Sequence, residues 1–289
     1  MLKTLEYLGD IEFIQRMLIA GILASLACGI IGSIIVVRRN VFIAGGVSHT
    51  TFGGIGMAYW LQGLGLSWFD PMLGAVLFAI GAALVLGFEP IKKRFREDST
   101  IGVIWVLGMA LGILFYSITN WTGMARVSSE SILFGDILLI SSFDLMIMGG
   151  LLILIYGFVL YFFKDIEAMA FDEEFAMISG IKVSVMNMAL LILIALTITL
   201  LVKVVGVVLI IAMLTIPAAI SNLFTKRLSI MMIWAVVLGI VLTTAGNVLS
   251  IELDTPPGAT IVLLMGAVFL LSLLVKNVFS RVRSFRHTR

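Results

Sequence analysis

Few side chains in this sequence could do chemistry: among 289 residues there are two histidines and one cysteine. His287 belongs to a basic tail. His49 lies about two turns into an apolar run, RRNVFIAGGVSHTTFGGIGMAY, residues 38–59. An ionisable group at that depth is costly to bury and usually faces a protein interior or a water-filled path. A four-residue spacing puts Gly45, His49, Gly53 and Met57 on one helix face. Neutral imidazole suits first-row metal ions, and the two glycines leave room beside it. Two readings stand. In one, His49 ligates a metal ion in a path lined by Gly45, Ser48, Thr50, Gly53 and Met57. In the other, the small residues form a packing seam and the imidazole bonds a neighbour's backbone.

Other candidates are structural or absent. Gly21, Ser25, Gly29 and Ser33 repeat the small-residue stripe in an earlier apolar run, where helix packing explains them. Pro217 interrupts the apolar stretch VVGVVLIIAMLTIPAAISNLF, and its missing N–H and ring clash favour either a static bend or a hinge. The sequence contains no GxxxxGK[ST] phosphate loop, no HExxH and no GxSxG. The expectation is a protein that is not an enzyme and holds no permanent cofactor. The single cysteine, Cys28, builds no disulfide framework.

The elements that position these residues follow from composition. Hydrophobic residues make up 61% and charged residues 12% of the chain, against about 45–50% and about 25% in soluble domains. Lipid must cover much of that surface, and in lipid only helices and closed barrels satisfy their own backbones. The apolar runs are continuous over about 18–22 residues, the length of a spanning helix rather than of an alternating barrel strand. The fold class is therefore all-α, a polytopic helical membrane protein occupying residues 1–289 as a single transmembrane domain. Nine spans are expected, at 17–37, 41–61, 71–88, 100–119, 143–163, 185–202, 204–223, 230–249 and 259–275. The division near Lys203 has almost no loop, so a broken helix and eight spans also fit. Residues 128–140 could form a short re-entrant or interfacial helix. Leu2, Leu5, Leu8 and Ile11 suit an interfacial lead-in.

Basic residues mark one side: Arg38, Arg39, the run 92–96, Lys164, Lys182, Lys226, Arg227 and the C-terminal tail. Acidic residues dominate the other. By the positive-inside rule the C-terminus is cytoplasmic in a nine-span chain, and the outer face suits an incoming cation. The longest inner loop, 164–184, is amphipathic: Ile166, Met169, Ala170, Ala176 and Ile181 stand against five acidic residues. It reads as a solvated connector or as a docking helix, with Gly180 as its cap.

Taken together, these segments resemble the permease subunits of bacterial ABC importers for zinc, manganese and iron, over residues 13–276. The resemblance is carried by the Ser48-His49 pair in its glycine-rich span, LFGDIL at 133–138, FDEEFAMISGI at 171–181, VVGVVLIIAMLTIPAAIS, and LDTPPGATIVL at 253–263. It implies an ABC-permease fold in the bacterial inner membrane and a homodimer around a translocation path. A separate cytoplasmic ABC ATPase would consume the ATP and dock on the loop through a D-x-x-x-A-x-x-x-G segment, here Asp172, Ala176 and Gly180. An extracytoplasmic metal-binding protein would deliver a divalent ion, and no nucleic acid is involved. His49 would contribute to a metal site. Many family members carry an Asp one turn before this histidine; Gly45 stands there instead, removing a hard oxygen ligand. The alternatives are a secondary ion-coupled transporter, which would need carboxylates buried within spans, and an ABC permease for a metal chelate.

Overall fold

The computed structural model describes residues 11–121 and 142–287. Residues 128–140, the 133–138 motif, and most of the N-terminal lead-in lie outside the described residues. The described chain is helical: α1 (Ile11–Val37), α2 (Val41–Gly63), α3 (Pro71–Gly87), α4 (Glu89–Arg94), α5 (Glu97–Trp121), α6 (Ser142–Tyr161), α7 (Phe163–Phe171), α8 (Glu173–Ile178), α9 (Val183–Val205), α10 (Val207–Phe224), α11 (Leu228–Leu253) and α12 (Pro257–His287). Each of the nine expected apolar segments is a helix. Seven are long and apolar enough to cross a membrane by length and composition alone. α3 is shorter, at 17 residues, and α2 is diluted by its glycines, its hydroxyls and His49.

Helix ends follow local chemistry. Asp70 caps α3 by accepting from the Met72 N–H at 2.7 Å, with Pro71 in the first turn where no N–H is missed. The junction near Lys203 resolves one residue group later. Gly206 alone separates α9 from α10, with φ 83° and ψ 160°. That region is open essentially to glycine only, so the chain breaks there and not at the lysine. Pro217 lies inside the continuous helix α10.

The chain divides into two compact units, one built from residues up to Arg39 and from Ala212 onward, the other from Asn40–Ile211. In the first, the small-residue stripe of α1 packs on α11. A Cβ added at Gly29 would stand 2.7 Å from the Val236 backbone nitrogen, and one at Gly21 would stand 3.0 Å from Thr243 Cγ2. Ser25 and Thr243 exchange a hydroxyl contact of 3.3 Å within this seam. Gly32 meets the Leu214 carbonyl so closely that no side chain fits.

The second unit centres on α2, which packs on both α3 and α5. Gly54 and Gly74 press their backbones together, and a Cβ at either would overlap the other's carbonyl. Against α5, a Cβ at Gly53 would stand 2.8 Å from the Gly108 carbonyl oxygen, and one at Gly108 would stand 2.6 Å from Thr50 Cα. Gly56 and Gly112 continue the seam. Between apolar helices in lipid no hydrophobic force drives association, so close backbone approach and dispersion must hold the contact. Asn40 Nδ2 donates to Glu97 Oε1 at 3.2 Å, tying the starts of α2 and α5.

Gly54→Val should therefore destabilise the protein by roughly 1–3 kcal/mol or more, as overpacking does. Gly157→Ala, where a Cβ meets nothing within 4 Å, should be neutral or stabilising by up to about 1 kcal/mol. Thermal unfolding in detergent, followed by size-exclusion profile, checks both.

Candidate functional site

His49 projects from α2 toward α5. It is half-buried, and its ring stacks on Trp105 with centroids 4.7 Å apart and planes 18° from parallel. Its Nδ1 is buried and has no hydrogen-bond partner. A histidine serving only to pack normally spends one ring nitrogen on a backbone carbonyl or carboxylate. Here that nitrogen is left unspent in an apolar helix, where an unmet polar atom costs about 1–3 kcal/mol.

The neighbours proposed from spacing divide into two groups. Ser48 is fully buried and donates to the Ala44 carbonyl at 2.7 Å; Thr50 is buried and donates to the Gly46 carbonyl at 2.7 Å. Both hydroxyls close back onto their own helix, and that of Thr50 also reaches the Ile104 carbonyl of α5 at 3.5 Å. Gly53 is covered by α5 and by Phe78 of α3. Gly45 is covered by the Trp105 ring. Met57 remains half-buried, so His49 and Met57 are the members of the set that keep accessible side-chain surface. No group of three metal-ligating His, Cys, Asp or Glu side chains occurs among the described residues.

Four features were not foreseen from spacing. Trp105 is the first. Tyr116 sits against Phe52, centroids 5.3 Å apart, with its hydroxyl buried and unpartnered. Asn187 of α9 is buried with an unpartnered Oδ1. Asp144 in the first turn of α6 is buried, at a helix N-terminus where a carboxylate is favoured. A single polar residue in an apolar run gives a sequence signal for Asn187, whereas ring stacking between helices gives none.

The 164–184 segment forms two short helices. Ile166, Met169 and Ala176 are buried, so its apolar face folds inward. Each residue of the spaced trio has a local task. Asp172 caps α8, accepting from the Glu174 and Phe175 N–H groups at 2.9 and 3.0 Å. Ala176 is fully buried. Gly180 takes φ 88°, and its N–H reaches the Met177 carbonyl while the Ile181 N–H reaches that of Ala176. Those two bonds are the Schellman closure, which requires a left-handed residue at Gly180. The result is a capped turn of helix that presents Phe175, Met177 and Ile178 outward, Ile178 at 86% exposure, beside Phe171 at the end of α7. These exposed apolar side chains form a surface suited to a protein partner.

Seven helices long and apolar enough to cross a membrane make this a polytopic helical membrane protein. Residues 10–276 match the ABC 3 transport family, and the chain belongs to it. It is 39% identical over 275 residues to an uncharacterised membrane protein of Synechocystis, covering 94% of this chain and 92% of that one. It is 32% identical over 261 residues to the manganese transport system membrane protein MntC of Halalkalibacterium halodurans, covering 90% and 86%. Among solved structures it resembles PsaBC from Streptococcus pneumoniae in complex with Fab, with TM-score 0.78, 27% identity and 93% of each chain covered.

Asp172→Ala should cost about 0.5–2 kcal/mol locally, and Asp172→Asn much less, because Asn also caps. Amide hydrogen exchange over residues 173–181 should speed up in the alanine variant and stay near wild type in the asparagine variant.

Proposed function

We propose that the chain is the membrane-spanning permease subunit of an ATP-driven importer of divalent first-row metal ions, with manganese and zinc foremost. Membership of the ABC 3 transport family and the manganese transport name of a relative support this class. The observation that carries the site is His49: a half-buried imidazole in an apolar helix, with a buried nitrogen that has no hydrogen-bond partner among the described residues. Neutral imidazole is a good ligand for such ions, and polar groups at this depth mark ion pathways more often than packing.

The chain supplies the path and leaves ATP hydrolysis to a separate subunit. The α8 surface, with Phe175, Met177 and Ile178 outward, is the seat for a cytoplasmic ATPase, and Asp172, Ala176 and Gly180 shape that seat. Movement of the ATPase would reach the spanning helices through α7 and α8, which lead directly into α6 and α9. Two copies of the chain would face one another, so that two His49 side chains, with Met57 or water, share one ion. An extracytoplasmic binding protein would load the outer mouth. Nine crossings with the basic loops and the C-terminal tail in the cytoplasm is the reading that the distribution of Lys and Arg in the sequence supports. Gly206 then acts as the sharp outer joint between two crossings, and Pro217 is a candidate hinge inside the second.

The test is metal uptake into vesicles holding this chain with its ATPase and binding protein. ATP-dependent uptake of manganese or zinc is expected, and His49→Ala should lower it at least about tenfold, a loss equivalent to about 1.4 kcal/mol of binding, with assembly unchanged. Unchanged uptake in the variant would return His49 to a packing role. Absence of uptake of either ion by an assembled complex would contradict the transport class itself.

A further inference from the structure

We propose that Trp105 is the positioning residue of the His49 site, and that Gly45 is the vacancy that seats it. The inference rests on the reading of His49 as a cation ligand and adds what holds that ligand in place. Trp105 comes from α5 and His49 from α2, and their rings stack face to face at 4.7 Å. The six-membered edge of the indole lies over Gly45, one helical turn before His49. A Cβ at Gly45 would stand 2.5 Å from Trp105 Cζ3 and 2.8 Å from Cη2. Any residue but glycine at position 45 would push the indole away from the imidazole.

Stacking does what a hydrogen bond does in most ligating histidines. A carboxylate or carbonyl bonded to the ring's other nitrogen usually fixes the orientation of a ligating histidine. His49 Nδ1 has no such partner. The indole instead fixes the ring plane through its π face and consumes no nitrogen. It also contributes electrostatically. Ligation of a cation makes the imidazole more positive, and the face of an indole is the negative pole of its quadrupole. The stack therefore favours the metal-bound state over the free one. A plain packing pair would stabilise both states equally and leave metal affinity alone.

The experiment uses the full chain assembled with its ATPase in lipid nanodiscs and zinc ion as the probe, with affinity read by competition against a chelating dye. His49→Ala should abolish the site. Trp105→Leu should weaken zinc binding about tenfold, and Trp105→Phe, which keeps a stacking face, by less than about threefold. Gly45→Ala should weaken it as Trp105→Leu does. The double variant should be no worse than Trp105→Leu alone, since both changes remove one interaction. A second measurement leaves all three residues intact: with Trp60, Trp68, Trp121 and Trp234 changed to Phe, zinc should alter Trp105 emission at the same half-saturation as binding. Wild-type affinity in Trp105→Leu, losses that simply multiply in the double variant, or an emission unmoved by bound zinc would overturn the proposal. If His49→Ala keeps zinc binding, the ligand reading falls and this inference with it. If His49→Ala loses binding while Trp105→Leu does not, only the role of Trp105 falls.

Discussion

The contact on which the second unit depends is backbone against backbone, made possible by glycine. Where Gly53 and Gly54 of α2 face Gly108 of α5 and Gly74 of α3, a methyl group would land inside a neighbour's main chain. Lipid offers these helices no hydrophobic gain on association, so the attraction must come from many dispersion contacts at short range. Close approach is the condition for that, and it also fixes rotation. Once Gly53 and Gly56 lie on α5, His49 must lie toward Trp105. The same device recurs in the first unit, where Gly29 and Gly32 of α1 meet α11 and α10. Polar contacts add little beside it: a hydroxyl pair such as Ser25 and Thr243 is worth about 0.6–2 kcal/mol in a membrane.

Polar side chains within the helices mostly answer their own backbone. Ser33, Ser48, Thr50, Thr197, Thr199 and Ser221 each donate to a carbonyl one turn earlier. Such hydroxyls are satisfied within their own helix, which is how an apolar bundle tolerates them. His49 Nδ1 makes no such bond; with Tyr116 Oη, Asn187 Oδ1 and Asn247 Oδ1 it is one of four buried side-chain atoms without a hydrogen-bond partner among the described residues. The outward-facing α8 shows the complementary logic at the aqueous end. Capping by Asp172 and closure at Gly180 make a short helix stiff enough to carry exposed Phe175 and Ile178.

Much of this was legible in the sequence, for physical reasons. Continuous apolar length is a direct reading of the bilayer, so all nine apolar segments emerged as helices. The stripe Gly21, Ser25, Gly29 faced another helix, as small residues at one-turn spacing should. Gly180 was readable as a cap because left-handed backbone favours glycine. Two apolar runs meet around Lys203 with almost no loop, and the backbone breaks at Gly206 because that conformation is open essentially to glycine. The segment 164–184 reads from sequence as a connector or a docking helix, and it forms the two short helices α7 and α8, each too brief for periodicity alone to decide. Trp105 was invisible: stacking across two helices depends on their relative rotation, and no spacing in one segment encodes it. Ser48 and Thr50 looked like path groups by type, yet their hydroxyls point to their own carbonyls, a choice set by local geometry.

Transport as proposed here depends on contact between the imidazole of His49 and the ion. X-ray absorption at the metal edge tests it most directly, on the assembled complex loaded with zinc in the absence of ATP. The account predicts the multiple-scattering pattern of an imidazole ligand in the wild-type spectrum and its loss in His49→Ala with His287 untouched. A zinc-loaded complex whose spectrum shows only oxygen or sulfur neighbours, or an imidazole pattern that survives His49→Ala, would contradict it.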